Sequence, residues 1–309
     1  MSASVVRQLE RQTLSPDVTR EKMQVPERPV VTNGGEGTVM LSMDVSSRLP
    51  LIRAGINDSR HKPFLFDSGS AYSLLQATTA IQNKVVLFDP ELIPIRVTGI
   101  AGKESVRGGL VTLNLGDWRA QSVPTLVRTH RTDMAMLGAI RTESLDVDII
   151  GLNPLRSLCS FITLDYRRRQ FVLGGTNLFQ PLGEARGVPL IFINGLPHIM
   201  LSSGGRQWIS LVDTGSAYGI EIPLDVAKQI GADQGAIPVL DSHQIGIGGS
   251  VDVQKLGVSV TRIKRIDGLG RPLLDFPVAI RPGEGRIGSN FLRNYRITFD
   301  FRRKLFVVE

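Results

Sequence analysis

The sequence predicts a mostly β protein made of two similar halves, and three observations carry that expectation. The chain has 309 residues, about twice the length of a common single domain. Its 32 Gly and 17 Pro, with few long helical periodicities between them, favour short strands joined by tight turns. It also matches itself, block by block and in one order, along most of its length.

The first matching block is Phe66-Asp67-Ser68-Gly69-Ser70-Ala71-Tyr72 against Val212-Asp213-Thr214-Gly215-Ser216-Ala217-Tyr218, 146 positions apart. The second is Gly99-Ile100-Ala101-Gly102 against Gly246-Ile247-Gly248-Gly249, at 147. The third pairs Ile150-Gly151-Leu152-Asn153-Pro154-Leu155-Arg156 with Ile287-Gly288-Ser289-Asn290-Phe291-Leu292-Arg293 at 137, and continues through Ile162-Thr163-Leu164-Asp165 and Ile297-Thr298-Phe299-Asp300 at 135. The offset shrinks because the first copy is longer between its second and third blocks. Two copies are too few for a solenoid, so the repeat implies a pseudo-twofold pair of lobes in one chain. The expected divisions are a flexible N-terminal tail over 1–36, a first lobe over 37–180 and a second over 181–309.

Along the chain, residues 1–35 read as a short helix around Val5 to Leu14 followed by a Pro-containing linker. Leu65-Phe66 and Leu211-Val212 end apolar runs of the buried-strand type, and the Ser/Thr-Gly-Ser after each forces a turn. Each Asp therefore sits where a strand gives way to a loop, a rigid support for exposed chemistry. Pro223 to Ile230 reads as a short helix stopped by Gly231, with Leu74 to Lys84 as its counterpart. Val111 to Leu115 alternates with period two, as an amphipathic strand does. Asp165 and Asp300 precede the basic clusters Arg167-Arg168-Arg169 and Arg302-Arg303-Lys304, which read as solvated turns. Tyr72 and Tyr218 are expected to pack, and Cys159, amid apolar neighbours, to be a buried thiol.

Composition excludes several classes of function. Apolar residues make up 42% and charged residues 21%, ordinary for a folded chain. The net charge of +7 is spread in short clusters rather than a basic arm, so no nucleic-acid partner is expected. His61, His130, His198 and His243 lack metal-ligand spacing and there is one Cys, so neither metal nor cofactor is expected. The most apolar uncharged stretch, Leu190 to Leu201, is broken by Asn194, Gly195 and Pro197 and falls short of the roughly 20 residues of a membrane span. With no apolar leader and no possible internal disulfide, the expected location is cytoplasmic.

Asp-Ser/Thr-Gly-Ser after an apolar strand, then a Gly-rich hairpin, then apolar-apolar-Gly before a closing strand, resembles the aspartic proteases. The two Gly-rich tips resemble the flaps of the retroviral-type members, and Ile149-Ile150-Gly151-Leu152-Asn153 resembles the segment that family places behind its active-site loop. The resemblance spans about residues 37 to 309 as a tandem retropepsin-like pair. It implies two β-barrel lobes with short helices, acting as a monomer, an intramolecular pseudo-dimer, on a peptide or protein substrate. The implied catalytic residues are Asp67 and Asp213. Ser68 and Thr214 would lock the two loops together, Gly69 and Gly215 permit close backbone approach, and Ser70 and Ser216 hydrogen-bond the outer carboxylate oxygens. Gly99, Ile100, Ala101 and Gly102, with Gly246, Ile247, Gly248 and Gly249, would form flaps over the substrate.

Two carboxyls about 3 Å apart in a desolvated site cannot both ionise, so they share a proton and titrate as a pair. One then acts as base toward a bound water and the other as acid toward the scissile carbonyl, which is endopeptidase chemistry. The alternative is a non-catalytic peptide- or protein-binding module that retains the fold. One position departs from the repeat: Arg286 stands where the first half has Ile149. A buried Arg needs a partner, so the expectation is that Arg286 points outward or that the second lobe is distorted.

Overall fold

In the computed structural model, residues 3–24, 29–33, 37–99, 102–128, 147–183, 185, 187–240, 243–246 and 249–309 are described. The fold is mostly strands, and the repeat seen in the sequence is repeated in the strand order. In the first half the strands Leu51–Ile56, Lys62–Asp67, Asp148–Gly151, Ser73–Leu75, Trp118–Arg128, Gly102–Leu115 and Val86–Leu87 lie side by side in that order. In the second half Leu196–Ser203, Arg206–Asp213, Gly285–Gly288, Ile220–Pro223, Leu273–Arg281, Ser259–Ile266 and Ile237–Pro238 follow the same order.

Each lobe holds its acid-bearing strand in a parallel pair. Gly151 lies opposite Asp67 in one lobe and Gly288 opposite Asp213 in the other. Such strands are covered on both faces, which is why Phe64, Phe66, Val212 and Ile287 read as continuous apolar runs and are fully buried. The helix expected at Pro223 to Ile230 forms over Leu224–Gln229, ended at Gly231 with φ +69°, and its counterpart is Ala77–Gln82.

Between the lobes the repeat meets itself. The strands Phe161–Asp165 and Arg296–Asp300 pair antiparallel, with Thr163 opposite Thr298. Those two residues are repeat equivalents, so the pseudo-twofold axis passes between them. Their hydroxyls, both buried, hydrogen-bond to each other at 2.8 Å. Gln170–Gly174 and Thr38–Asp44 extend this sheet on one side, and Leu305–Val308 and Gly187–Pro189 on the other.

The basic clusters are exposed turns, as expected. The Asp165 and Asp300 carboxylates accept from the backbone N–H groups of Arg168 and Arg303, which fixes their turn-forming role. Cys159 is buried, and burial pushes its thiol well above the ordinary range.

Two expectations are corrected. The N-terminal segment is not a flexible tail over its described length. It forms helices Ala3–Arg11 and Pro16–Gln24, and Leu9 and Thr19 are fully buried. Backbone hydrogen bonds tie Gln12 and Leu14 to Leu87 of the first lobe, and Gln12 Nε2 donates to the Ile81 carbonyl. Tyr72 does not pack: half of it is exposed. No helix among the described residues is long and apolar enough to cross a membrane.

Candidate active site

The two Asp-Ser/Thr-Gly loops meet face to face and lock by a reciprocal set of hydrogen bonds. The Ser68 N–H donates to Thr214 Oγ1 at 2.9 Å and the Thr214 N–H to Ser68 Oγ at 3.0 Å. Each hydroxyl then donates across the axis to a carbonyl, Ser68 Oγ to Val212 at 2.7 Å and Thr214 Oγ1 to Phe66 at 2.8 Å. Ser68 and Thr214 are fully buried, so losing either partner would leave the other unsatisfied away from water.

This lock brings Asp67 and Asp213 together. A Cβ built on Gly69 would stand 2.5 Å from Asp213 Cγ, and one on Gly215 would stand 2.4 Å from Asp67 Cγ. Only glycine fits where each loop backbone passes the opposite carboxyl. Behind the loops, the N–H groups of Leu152 and Ser289 donate to the carbonyls of Ser70 and Ser216. A Cβ on Gly151 or Gly288 would lie 2.4 Å from the Tyr72 or Tyr218 carbonyl.

Comparison with known proteins agrees with this fold. Residues 52–140 match the family model described as aspartyl protease. Among solved structures, the chain is similar to the crystal structure of aspartic proteinase from Irpex lacteus, with a TM-score of 0.54 at 13% identity, over 88% of this chain and 97% of that one. No curated protein matches the chain. The chain has the aspartic proteinase fold.

Within that fold, a hairpin leads to each of the two Gly-rich tips. Ile95–Gly99 pairs with the start of Gly102–Leu115, ending at Gly99 opposite Gly102. His243–Gly246 pairs with Gly249–Asp252, ending at Gly246 opposite Gly249. The tip residues Ile100, Ala101, Ile247 and Gly248 lie outside the described residues.

Other expected roles shift. Ser70 and Ser216 do not give their hydroxyls to the carboxyls. Ser70 Oγ donates to the Tyr72 carbonyl at 2.8 Å, and Ser216 Oγ accepts from the Tyr218 N–H at 3.4 Å. The donors on the carboxyls are backbone groups: Gly69 N–H on Asp67 Oδ1 at 2.9 Å, and Gly215 and Ser216 N–H on Asp213 Oδ1 at 2.9 and 3.0 Å. Burial, and then the Asp213 charge, hold the Asp67 carboxyl well above the usual carboxylate range.

Arg286 does not point outward, and the lobe around it keeps its strand order. Its Nη1 is 3.2 Å from Asp213 Oδ2, and its Nε is 3.6 Å from Oε2 of the buried Glu221, the residue opposite it on the neighbouring strand. Arg281 Nη1 contacts the other Glu221 oxygen at 3.2 Å. Burial raises the Glu221 carboxyl, with Arg281 and Arg286 opposing that shift. Burial works against the Arg286 charge as well, but Asp213 and Glu221 outweigh it and raise its value. Sequence reasoning missed Glu221 and Arg281. The available signal was the repeat itself, since Glu221 falls opposite Arg286 where the first lobe has Leu74 opposite Ile149.

Proposed function

We propose that the protein is an aspartic endopeptidase whose lobes, over 37–180 and 181–309, supply Asp67 and Asp213 as a catalytic pair. The observation that carries this reading is the meeting of two repeat-equivalent carboxyls on loops held by the reciprocal Ser68/Thr214 lock. One carboxylate takes a proton from a bound water while the water oxygen attacks the scissile carbonyl carbon, and the other carboxyl, protonated, donates to the carbonyl oxygen. The proton taken from water then passes to the leaving nitrogen as the C–N bond breaks, and the other carboxyl takes back its proton from the hydroxyl as the carbonyl re-forms. The two hairpins ending at Gly99–Gly102 and Gly246–Gly249 close over an extended peptide, which hydrogen-bonds through its backbone as an added strand does. Because both acids come from one chain, the active species is a monomer with an internal pseudo-dimer.

Incubating the full chain with a peptide library between about pH 3 and 7 tests this reading. Cleavage should occur and should vanish in Asp67→Ala and in Asp213→Ala. Cleavage that survives either substitution overturns the two-acid mechanism. A second reading, a peptide-binding module that does not cut, is favoured by one observation: the guanidinium on Asp213 competes for the carboxylate that would act as base. Peptide binding without cleavage at any pH would establish it.

A further inference from the structure

We propose that Arg286 is a positioning residue that makes the carboxyl pair unequal, holding Asp213 as the anion that takes the proton from water and leaving the shared proton on Asp67. This deepens the endopeptidase reading and rests on it. The two acids are repeat equivalents with different surroundings. Asp213 receives two backbone N–H groups on Oδ1 and faces the Arg286 guanidinium on Oδ2. Asp67 receives one backbone N–H, from Gly69. The strand position that carries Arg286 in the second lobe carries Ile149 in the first, where Leu74, Val106 and Leu126 form an apolar cluster. A carboxyl that gains donors and an opposite charge favours its anionic form, and the one beside it then keeps the proton.

The second lobe is built to hold the guanidinium there. Arg286 lies opposite Leu211 on the acid-bearing strand and opposite Glu221 on the other side. Glu221 is pinned in turn by Arg281. The charged groups around the pair are Asp67, Glu221, Arg281, Glu284, whose carboxylate is held by His198 Nε2, and Tyr218 at the edge of the Glu221–Arg281 pair. Glu284 is exposed and lies on His198; among the remaining groups, Arg281 and Arg286 balance Glu221 and Asp213 only while Asp67 stays neutral. Ionising Asp67 as well would leave an uncompensated buried negative charge, which is costly.

The test uses the full-length protein and three variants: Arg286→Ile, which copies Ile149; Arg286→Lys, which keeps a charge; and the double variant Glu221→Leu/Arg286→Ile, which copies the Leu74–Ile149 pair and serves if the single variant fails to fold. Two readouts are followed against pH. One is the 13C carboxyl NMR titration of the two aspartates, assigned with Asp67→Asn and Asp213→Asn. The other is the acid limb of kcat/KM on a peptide that the wild type cleaves. Asp213 should ionise first in the wild type. In Arg286→Ile its midpoint and the acid limb should rise together by about 1–3 pH units, the usual effect of one adjacent opposite charge. kcat should fall, KM should change less than about twofold, and Arg286→Lys should restore most of the shift. The proposal is overturned if Asp67 ionises first, if Arg286→Ile leaves the Asp213 midpoint in place, or if the variants alter only KM for peptides with acidic residues, the mark of a substrate-binding arginine. If no peptide is cleaved, the endopeptidase reading falls, and the carboxyl titration alone decides where the proton resides.

Discussion

The two lobes share a strand order and an acid-bearing loop, yet the strand pair behind each acid differs in kind. The first lobe packs Ile149 against Leu74 within an apolar cluster, whereas the second sets Arg286 against Glu221 with Arg281 beside it. The reciprocal Ser68/Thr214 hydrogen bonds are repeated across the axis, and the donors and charges on the two carboxyls are not. Backbone geometry can therefore be duplicated while the charge environment of each acid is set independently. Only side chains on the strand beside the acid-bearing one and on the next strand over have to change.

Where the lobes are alike, equal perturbations should give equal losses. Gly69→Ala and Gly215→Ala each drive a methyl into the opposite carboxyl. Displacements of about 1 Å at reacting groups cost on the order of a hundredfold in rate, so either variant should lose at least that in kcat/KM on a cleaved peptide. A much milder loss in one than in the other would show that the loops are not equivalent.

Where the lobes differ, exchanging residues should be asymmetric. Glu221→Leu strips both arginines of a carboxylate and should cost about 3–5 kcal/mol in urea unfolding, as breaking buried ion pairs does. Leu74→Glu buries a carboxyl in an apolar cluster with no arginine to meet it, and should destabilise most at high pH, where the new group must either ionise or hold its proton at a cost.

The pH dependence of stability should also trace the inequality of the acids. Asp67 is raised in the folded state, chiefly by burial and next by Asp213. The folded protein therefore holds that proton more tightly than the unfolded chain. Its stabilising contribution is complete below the ordinary carboxylate value of 3.8 and is lost as pH rises toward the raised folded value. The slope approaches about 1.4 kcal/mol per pH unit for one such group. Asp67→Asn should flatten urea-unfolding stability across that window, and an unchanged slope would contradict the burial of a protonated Asp67.

Smaller effects belong to the axis and the surface. Thr163→Val leaves the buried Thr298 hydroxyl without its partner and should cost about 1–3 kcal/mol, while Thr163→Val/Thr298→Val together should recover most of that. Arg168→Ala removes a loose surface contact to Asp165 at 3.9 Å and should change stability by less than about 0.5 kcal/mol.

Much of this comparison was legible in the sequence because the repeat supplies its own reference. Asp67, Asp213 and the glycines beside them stand out as matched residue types, and the Ser68/Thr214 lock is what the family resemblance implies; the repeat aligns Thr163 with Thr298, and the structure shows that they meet. What could not be read depended on side-chain direction or tertiary docking. Ser70 and Ser216 lie in the right loops, but their hydroxyls turn to neighbouring backbone groups. Pro16 reads as part of a linker, although proline suits the first turn of a helix and opens Pro16–Gln24 here. The docking of that segment depends on Leu9 and Thr19 meeting a surface formed some 70 residues later. Arg286 was visible as an anomaly. Its partner Glu221, 65 positions away, emerges only when each half is laid on the other.

Fusion of the halves into one chain has a genetic consequence. In a dimer of identical subunits, every substitution appears twice, so an arginine brought to one acid would be brought to both, and neither could be left to keep the proton. Joining the halves through the connection that leads from Gln170–Gly174 to Gly187–Pro189 lets each copy mutate alone. The strand position beside the acid-bearing strand could thus become arginine on one side and stay isoleucine on the other. Only the residues on the axis, such as Thr163 and Thr298, remain bound to change in step.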